Sequence, residues 1–325
     1  MNLLVSIAFA VGSAQMPGNA VTELVVPVDG AQLAVSLTLP ALRANQKAPA
    51  VLILPGSGPS TRHESRYFAE AFARAGFIAL TFDKRGCGAS TGSWLKASLD
   101  DMARDGASLL DWLRTRPEAD ATRTGVVGVS QGGWVAPLVA SQRSDLSFLI
   151  ALTGSGISPR ATETFDYERR LRQLNVQGDH LNAARKTIEA YFSYLDGKTP
   201  LATVEALLKS GGSSGWSAAL GIGRVLPDER LRPFWSWVAT FDPLPSIQKL
   251  RIPVLVLIGG QDRDPATEVS VWQQGLSTNE NAVTEIRVVP DAGHVLSKGS
   301  SHMLGNFNEA ALDAMAAWAS HVVKR

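Results

Sequence analysis

Ser130 stands where a serine can act as a nucleophile. Thr124 to Val129 reads as a strand and Gln131 to Ser141 as a helix, and Gly128-Val129-Ser130-Gln131-Gly132 forms the junction. A G-x-S-x-G pentapeptide is common by chance, so its place at a strand-to-helix elbow is what gives it weight. Such an elbow forces the serine into a sharp turn with its hydroxyl above the sheet, and the glycines let the two elements pack closely. The helix also turns its positive end toward any negative charge that develops there. A serine hydroxyl is a weak nucleophile at neutral pH. It needs a base to take its proton and an acid to orient that base.

A triad in the chain order Ser, acid, His puts both partners after Ser130. Five histidines are available. His63 precedes the serine, His180 lies before the last strand-like runs, and His321 falls in a terminal helix. His294, in VVPDAGHVL, sits in a loop just past the strand ending at Val289 and is the expected base; His302, in a Gly/Ser stretch, is its rival. The acid is expected after the preceding strand, where VLVLIGGQDRD offers Asp262 and Asp264. Asp262 is reached first, at the turn opened by Gly259-Gly260. Asp264 precedes Pro265 and also suits the start of a helix.

The negative oxygen formed when a serine attacks a carbonyl needs backbone N–H donors. Gln131, next after the nucleophile, supplies one. The loop LPGSGPS supplies the other, with Ser57 the expected donor between Gly56 and Gly58.

Elements that could hold these residues are visible along the chain. ELVVPVDGAQLAVSLTLP reads as a hairpin turning at Asp29-Gly30. Strand-like runs at Ala50 to Leu54, Phe77 to Thr81, Thr124 to Val129 and Leu146 to Leu152 alternate with helical stretches at Tyr67 to Ala75, Leu99 to Arg116 and Gln131 to Ser141. This is the rhythm of a mostly parallel α/β sheet flanked by helices. From Pro159 to Ile247 no strand is expected. That stretch holds helical pieces at Glu163 to Leu174, Leu181 to Tyr194 and Leu201 to Leu208, a Gly/Ser-rich break at Ser210 to Gly223, and the aromatics Phe234, Trp235, Trp237 and Phe241. Strands resume at Val254 to Ile258 and Thr284 to Val289, and a helix over Glu309 to Val323 closes the chain.

Composition narrows the classes. The chain has 325 residues, 45% of them hydrophobic, enough for a large core. With 31 basic and 30 acidic side chains, it offers no field for nucleic acid. The single cysteine, Cys87, excludes an internal disulfide and any multi-cysteine metal site. The apolar run Leu3 to Val11 is too short to span a bilayer, and Gly12-Ser13-Ala14 follows it. Residues 1–14 therefore read as a signal peptide cleaved before Gln15, although no Lys or Arg precedes the run; the expected location is periplasmic or secreted, the alternative cytoplasmic.

GSGPS at 56–60, DKRGCGAS at 83–90, GVSQGGWVAPLVA at 128–140, FDPLPSIQKLRIPVLVLIGGQD at 241–262 and DAGH at 291–294 together resemble a group of bacterial α/β-hydrolases, mostly serine esterases, related to dienelactone hydrolases and prolyl-oligopeptidase-like enzymes. The resemblance covers Val26 to His294 and is weak over the insertion. With the strand rhythm above, the expected division is an α/β-hydrolase core over 22–157 and 248–325 with a helical cap over 158–247, and the resemblance implies Ser130, Asp262 and His294 as the triad and the Gly56 to Gly58 loop as the oxyanion side. It further implies that Asp83 and Arg85 brace the loop after the fourth strand. Many relatives follow the triad acid with Val-Pro, where this chain has Arg-Asp-Pro-Ala.

The expected reaction is hydrolysis of small esters with apolar acyl groups through an acyl-enzyme, with no metal or organic cofactor. The aromatic group, with Trp216, is expected to line the acyl pocket. Thioester or peptide cleavage by the same triad is the alternative, and a catalytically silent binding protein on this fold is a third.

Overall fold

The computed structural model describes residues 20–153, 156–212, 215–280, 283–298 and 306–324. The expected signal peptide and the rival His302 lie outside the described residues. The chain opens with β1 (Ala20–Val28) and β2 (Ala31–Leu39), an antiparallel hairpin whose turn places Gly30 at φ +68°. Then β3 (Ala48–Leu54), α1 (Arg66–Arg74), β4 (Ile78–Phe82), α2 (Leu99–Arg114), β5 (Ala119–Val129), α3 (Gly132–Ala140) and β6 (Phe148–Leu152) alternate.

Eight helices follow without a strand among the described residues. They are α4 (Pro159–Gln173), α5 (Gly178–Leu195), α6 (Leu201–Ser210), α7 (Trp216–Leu220), α8 (Ile222–Val225), α9 (Arg232–Trp235), α10 (Trp237–Thr240) and α11 (Leu244–Ile247). β7 (Val254–Gly259), α12 (Pro265–Gly275), β8 (Glu285–Val289) and α13 (Glu309–Val322) complete the chain.

All eight strands share one sheet in the order β1-β2-β4-β3-β5-β6-β7-β8. Only the pairings of β2, with β1 and β4, are antiparallel. β3, β6 and β7 are apolar throughout, and β5 is so from Gly125 on, because both faces are covered there. Along β3, Leu52 and Leu54 pack with α2, α3 and α12 on one face, while Val51 and Ile53 pack with α1 and α13 on the other. The order reverses at β3, between β4 and β5. In such sheets the crevice at the carboxyl ends of the strands is where ligands sit.

The helices between β6 and β7 have an apolar core of their own, including Leu171, Ile188, Phe192, Leu195, Val204 and Trp216. The expected Gly/Ser break is in part helical, since α7 and the start of α8 fall within it. Glycines bracket α7 in left-handed conformation, Gly215 at φ +75° and Gly221 at φ +72°. α12 has no counterpart in the sequence reading, because Val269 and Trp272 are too few to set a period.

Candidate active site

β5 runs into Ser130, whose φ of +53° is a left-handed conformation unusual for a non-glycine residue. Holding it there costs about 1–3 kcal/mol, which the packing around it must supply. Both flanking glycines are required by close approach. A Cβ on Gly128 would lie 2.1 Å from the Gly132 carbonyl oxygen, and one on Gly132 would lie 2.3 Å from the Leu54 carbonyl oxygen. The elbow is tied to the neighbouring strand by the Ser130 N–H, which donates to the Leu152 carbonyl at 3.0 Å.

His294 reaches the serine from the turn after β8. Its Nε2 lies 2.9 Å from Ser130 Oγ, and its Nδ1 lies 2.9 Å from Asp262 Oδ2. With Nδ1–H donating to the carboxylate, the Nε2 lone pair faces the serine hydroxyl, the tautomer a general base requires. The turn that aims the ring is strained: Val295, φ +54°, and Leu296, φ +56°, keep left-handed conformations with both side chains buried. Beneath them Thr153, also left-handed at φ +53°, accepts the Val295 N–H on Oγ1 at 3.2 Å. For a β-branched residue such a conformation persists only where the surroundings over-determine it.

Asp262 follows β7, with its side chain largely covered beside the ring. Burial alone would push its carboxyl up. The hydrogen bond and charge of His294, the Arg263 N–H at 2.8 Å and the Arg263 charge outweigh that, and the group is held below the ordinary carboxylate range. It is therefore ionised at neutral pH. Asp264, the rival acid, instead caps α12 by accepting the Thr267 N–H at 3.1 Å. His63, His180 and His321 are exposed.

Two neighbouring spaces lie beside the triad side chains and share Ser57, Trp134 and Glu163 as walls. One is small and polar and contains Ser130, Asp262 and His294. The other is a mostly apolar cavity of about 340 Å³, lined by Trp94, Trp134, Tyr167, Tyr191, Trp235 and Trp237 among others. Of the aromatics expected to line a pocket, Trp235 and Trp237 do so. Phe234 and Phe241 are not among its walls, and Trp216 is buried in the core of the helical segment, its ring against Gly211. Trp94 and Trp134 take their place, Trp94 edge-on to Trp235 at 5.7 Å and Trp134 to Trp237 at 6.1 Å. Glu163 on α4 brings the one carboxyl in this wall. Burial pushes it above its usual range and Asp166 adds to that, against the pull of Arg263 and Arg170.

Among the described residues, no group of three or more His, Cys, Asp or Glu is placed to hold a metal ion. Cys87 is buried, and burial pushes its thiol up, which suits a turn residue rather than a nucleophile. The neighbouring Asp83 accepts the N–H groups of Arg62 and Ala89 and pairs with the Arg62 guanidinium, while Arg85 makes two bonds to Asp105 at 2.6 and 2.7 Å. These bonds brace the loop after β4.

A sequence model of the X-Pro dipeptidyl-peptidase (S15) family matches residues 29–288, most of the chain. The chain belongs to that family. Its curated relatives include an uncharacterized 31.7 kDa protein of Escherichia coli, 23% identical over 247 residues, covering 70% of this chain and 77% of the relative. Cutinase 2 of Thermobifida cellulosilytica is 34% identical over 114 residues, covering 34% of this chain and 41% of the cutinase. The solved structure of a Pyrococcus furiosus esterase superposes with a TM-score of 0.59 over 93% of this chain and 91% of its own, at 18% identity. At that identity the likeness shows the fold, an α/β-hydrolase. This S15 chain is thus an α/β-hydrolase.

Proposed function

We propose that the protein is a serine hydrolase that cleaves carboxylic esters of apolar acyl groups through an acyl-enzyme. The observation that carries this reading is the unbroken chain Ser130–His294–Asp262, with both hydrogen bonds at 2.9 Å, beside an aromatic-walled cavity. Ser130 Oγ attacks the carbonyl while His294 Nε2 takes its proton. Asp262 holds the imidazole and stabilises its positive charge. The N–H groups of Ser57 and Gln131 receive the oxyanion; among the described residues neither donates to another protein group. His294 then returns the proton to the leaving alcohol, and water repeats the sequence to free the acid. The helices between β6 and β7 act as a cap, since α4, α5, α9 and α10 furnish cavity walls and thereby shape the acyl site.

A second reading, cleavage of a peptide amide, is favoured by Glu163. A carboxyl enclosed near Ser130 suits a cationic amine better than an acyl chain, and the family takes its description from a dipeptidyl-peptidase. A panel of p-nitrophenyl esters, acyl thioesters and X-Pro p-nitroanilides separates the readings. The ester reading expects the highest kcat/KM on medium-chain esters. A clear preference for the anilides would transfer the assignment to the peptidase.

A further inference from the structure

Lys84 is buried, 7% exposed, in the loop just after β4, and the triad does not use it. Its ammonium makes three bonds. It donates to the Gly56 carbonyl, to the Gly58 carbonyl at 3.2 Å and to Gln131 Oε1 at 2.6 Å. These acceptors belong to the two segments that carry Ser57 and Gln131. A lysine reaches them all because an ammonium has three donors and a carbonyl only accepts.

The bond to Gly56 has a geometric consequence. The Gly56–Ser57 peptide is planar and trans, so its C=O and N–H point in opposite directions. Fixing the carbonyl on Lys84 therefore fixes the Ser57 N–H facing away from the lysine. Gly56 is also where the loop meets the nucleophile: a Cβ placed there would lie 3.6 Å from Ser130 Cβ. The bond to the Gln131 side chain anchors the other segment on the same nitrogen. We propose that Lys84 is a positioning residue that locks the Ser57 loop and Gln131 into one oxyanion-binding arrangement. This rests on the serine-hydrolase reading above.

Burial lowers the Lys84 pKa to about 8, against the pull of Cys87 and Glu64, so the ammonium sits in an environment that does little to favour a charge. A buried lysine at such a cost needs its acceptors. The carbonyls in turn stay oriented only while it is present, and preorganised donors contribute most where no reorganisation is needed.

The test compares the parent, Lys84→Met, Gln131→Leu and the double variant on one p-nitrophenyl ester and on a trifluoromethyl ketone inhibitor, whose hemiketal oxyanion needs the same donors. In K84M, kcat falls about 10²-fold with KM within about threefold, as expected when one transition-state donor is misplaced, and ketone affinity falls in parallel. Q131L loses less, and the double variant loses no more than K84M, because both changes cut the same tie. A folded K84M with parental kcat and ketone affinity overturns the proposal. Should K84M not fold, Q131L decides: an unchanged kcat and ketone affinity overturns it as well. A parent that hydrolyses no ester and takes no fluorophosphonate defeats the serine-hydrolase reading. An active parent with an indifferent K84M defeats only the role of Lys84.

Discussion

Arg263 Nε donates to Asp166 Oδ2 at 2.9 Å, linking the residue after the proposed catalytic acid to α4, 97 positions earlier in the chain. The same guanidinium places Nη1 3.2 Å from His294 Nδ1 and 3.7 Å from Asp262 Oδ1. Both His294 Nδ1 and Arg263 are donors here, so their approach is tolerated because Asp262 and Asp166 take up the charge.

Removing one of those acids should be felt at the imidazole. In Asp166→Asn the Arg263 charge loses its nearer acid and opposes the imidazolium that forms during turnover. The expected loss in kcat is about tenfold, near 1.4 kcal/mol, with recovery in the Asp166→Asn/Arg263→Leu double variant. Steady-state kinetics of the two variants check this. A double variant as slow as the single one would mean that Asp166 acts through the fold of α4 instead.

The two acids after β7 separate cleanly by effect. Asp262→Asn should lower kcat by roughly 10⁴-fold through loss of the imidazole tautomer. Asp264→Ala removes a helix cap and should cost about 1 kcal/mol of stability with kcat nearly unchanged. Kinetics and thermal unfolding on both variants measure the contrast, and equal kinetic losses would leave the acid unassigned.

Trp237 and Trp216 should also part company. Trp237 lines the cavity, so Trp237→Ala should shift the preferred ester toward longer acyl chains. Trp216 fills the core of the helical segment, so Trp216→Ala should destabilise that segment by about 3–5 kcal/mol and leave chain-length preference unchanged. A chain-length series on each variant, with unfolding curves, tests the division.

What could be read from the sequence is what chain order dictates. The strands, the elbow at Ser130 and the sites of Asp262 and His294 follow from apolar runs that end in turns, and the structure joins the three side chains. The cavity walls were only partly readable. Trp134 lies on the helix after Ser130, whose sequence does not say which face meets a cavity, Trp94 comes from a short turn without periodicity, and Tyr167 and Tyr191 come together only once α4 and α5 pack. Trp216 went the other way, since nothing in its neighbours says that the ring turns inward. Lys84 and Arg263 could not be read at all as partners of the site. Both stand in motifs visible in the sequence, DKRGCGAS and the Arg-Asp after the acid, but nothing there says what either side chain reaches.

Lys84 should also leave a mark on stability. A lysine whose pKa is depressed in the folded state contributes its full share of stability above its unfolded value, near 10.5, and loses it as pH falls through about 8. The unfolding free energy of the parent relative to Lys84→Met should therefore rise by about 3 kcal/mol between pH 8 and pH 10.5. Denaturant titrations of both proteins at several pH values measure that difference, and a constant difference would show that Lys84 is not shifted.

The central claim, that Ser130 is a nucleophile activated by His294, is tested most directly by fluorophosphonate labelling followed by peptide mass mapping. The account predicts one adduct, on the peptide carrying Ser130, with labelling lost in Ser130→Ala and slowed at least about a thousandfold in His294→Ala. An adduct on another serine, or undiminished labelling of the His294 variant, would contradict it.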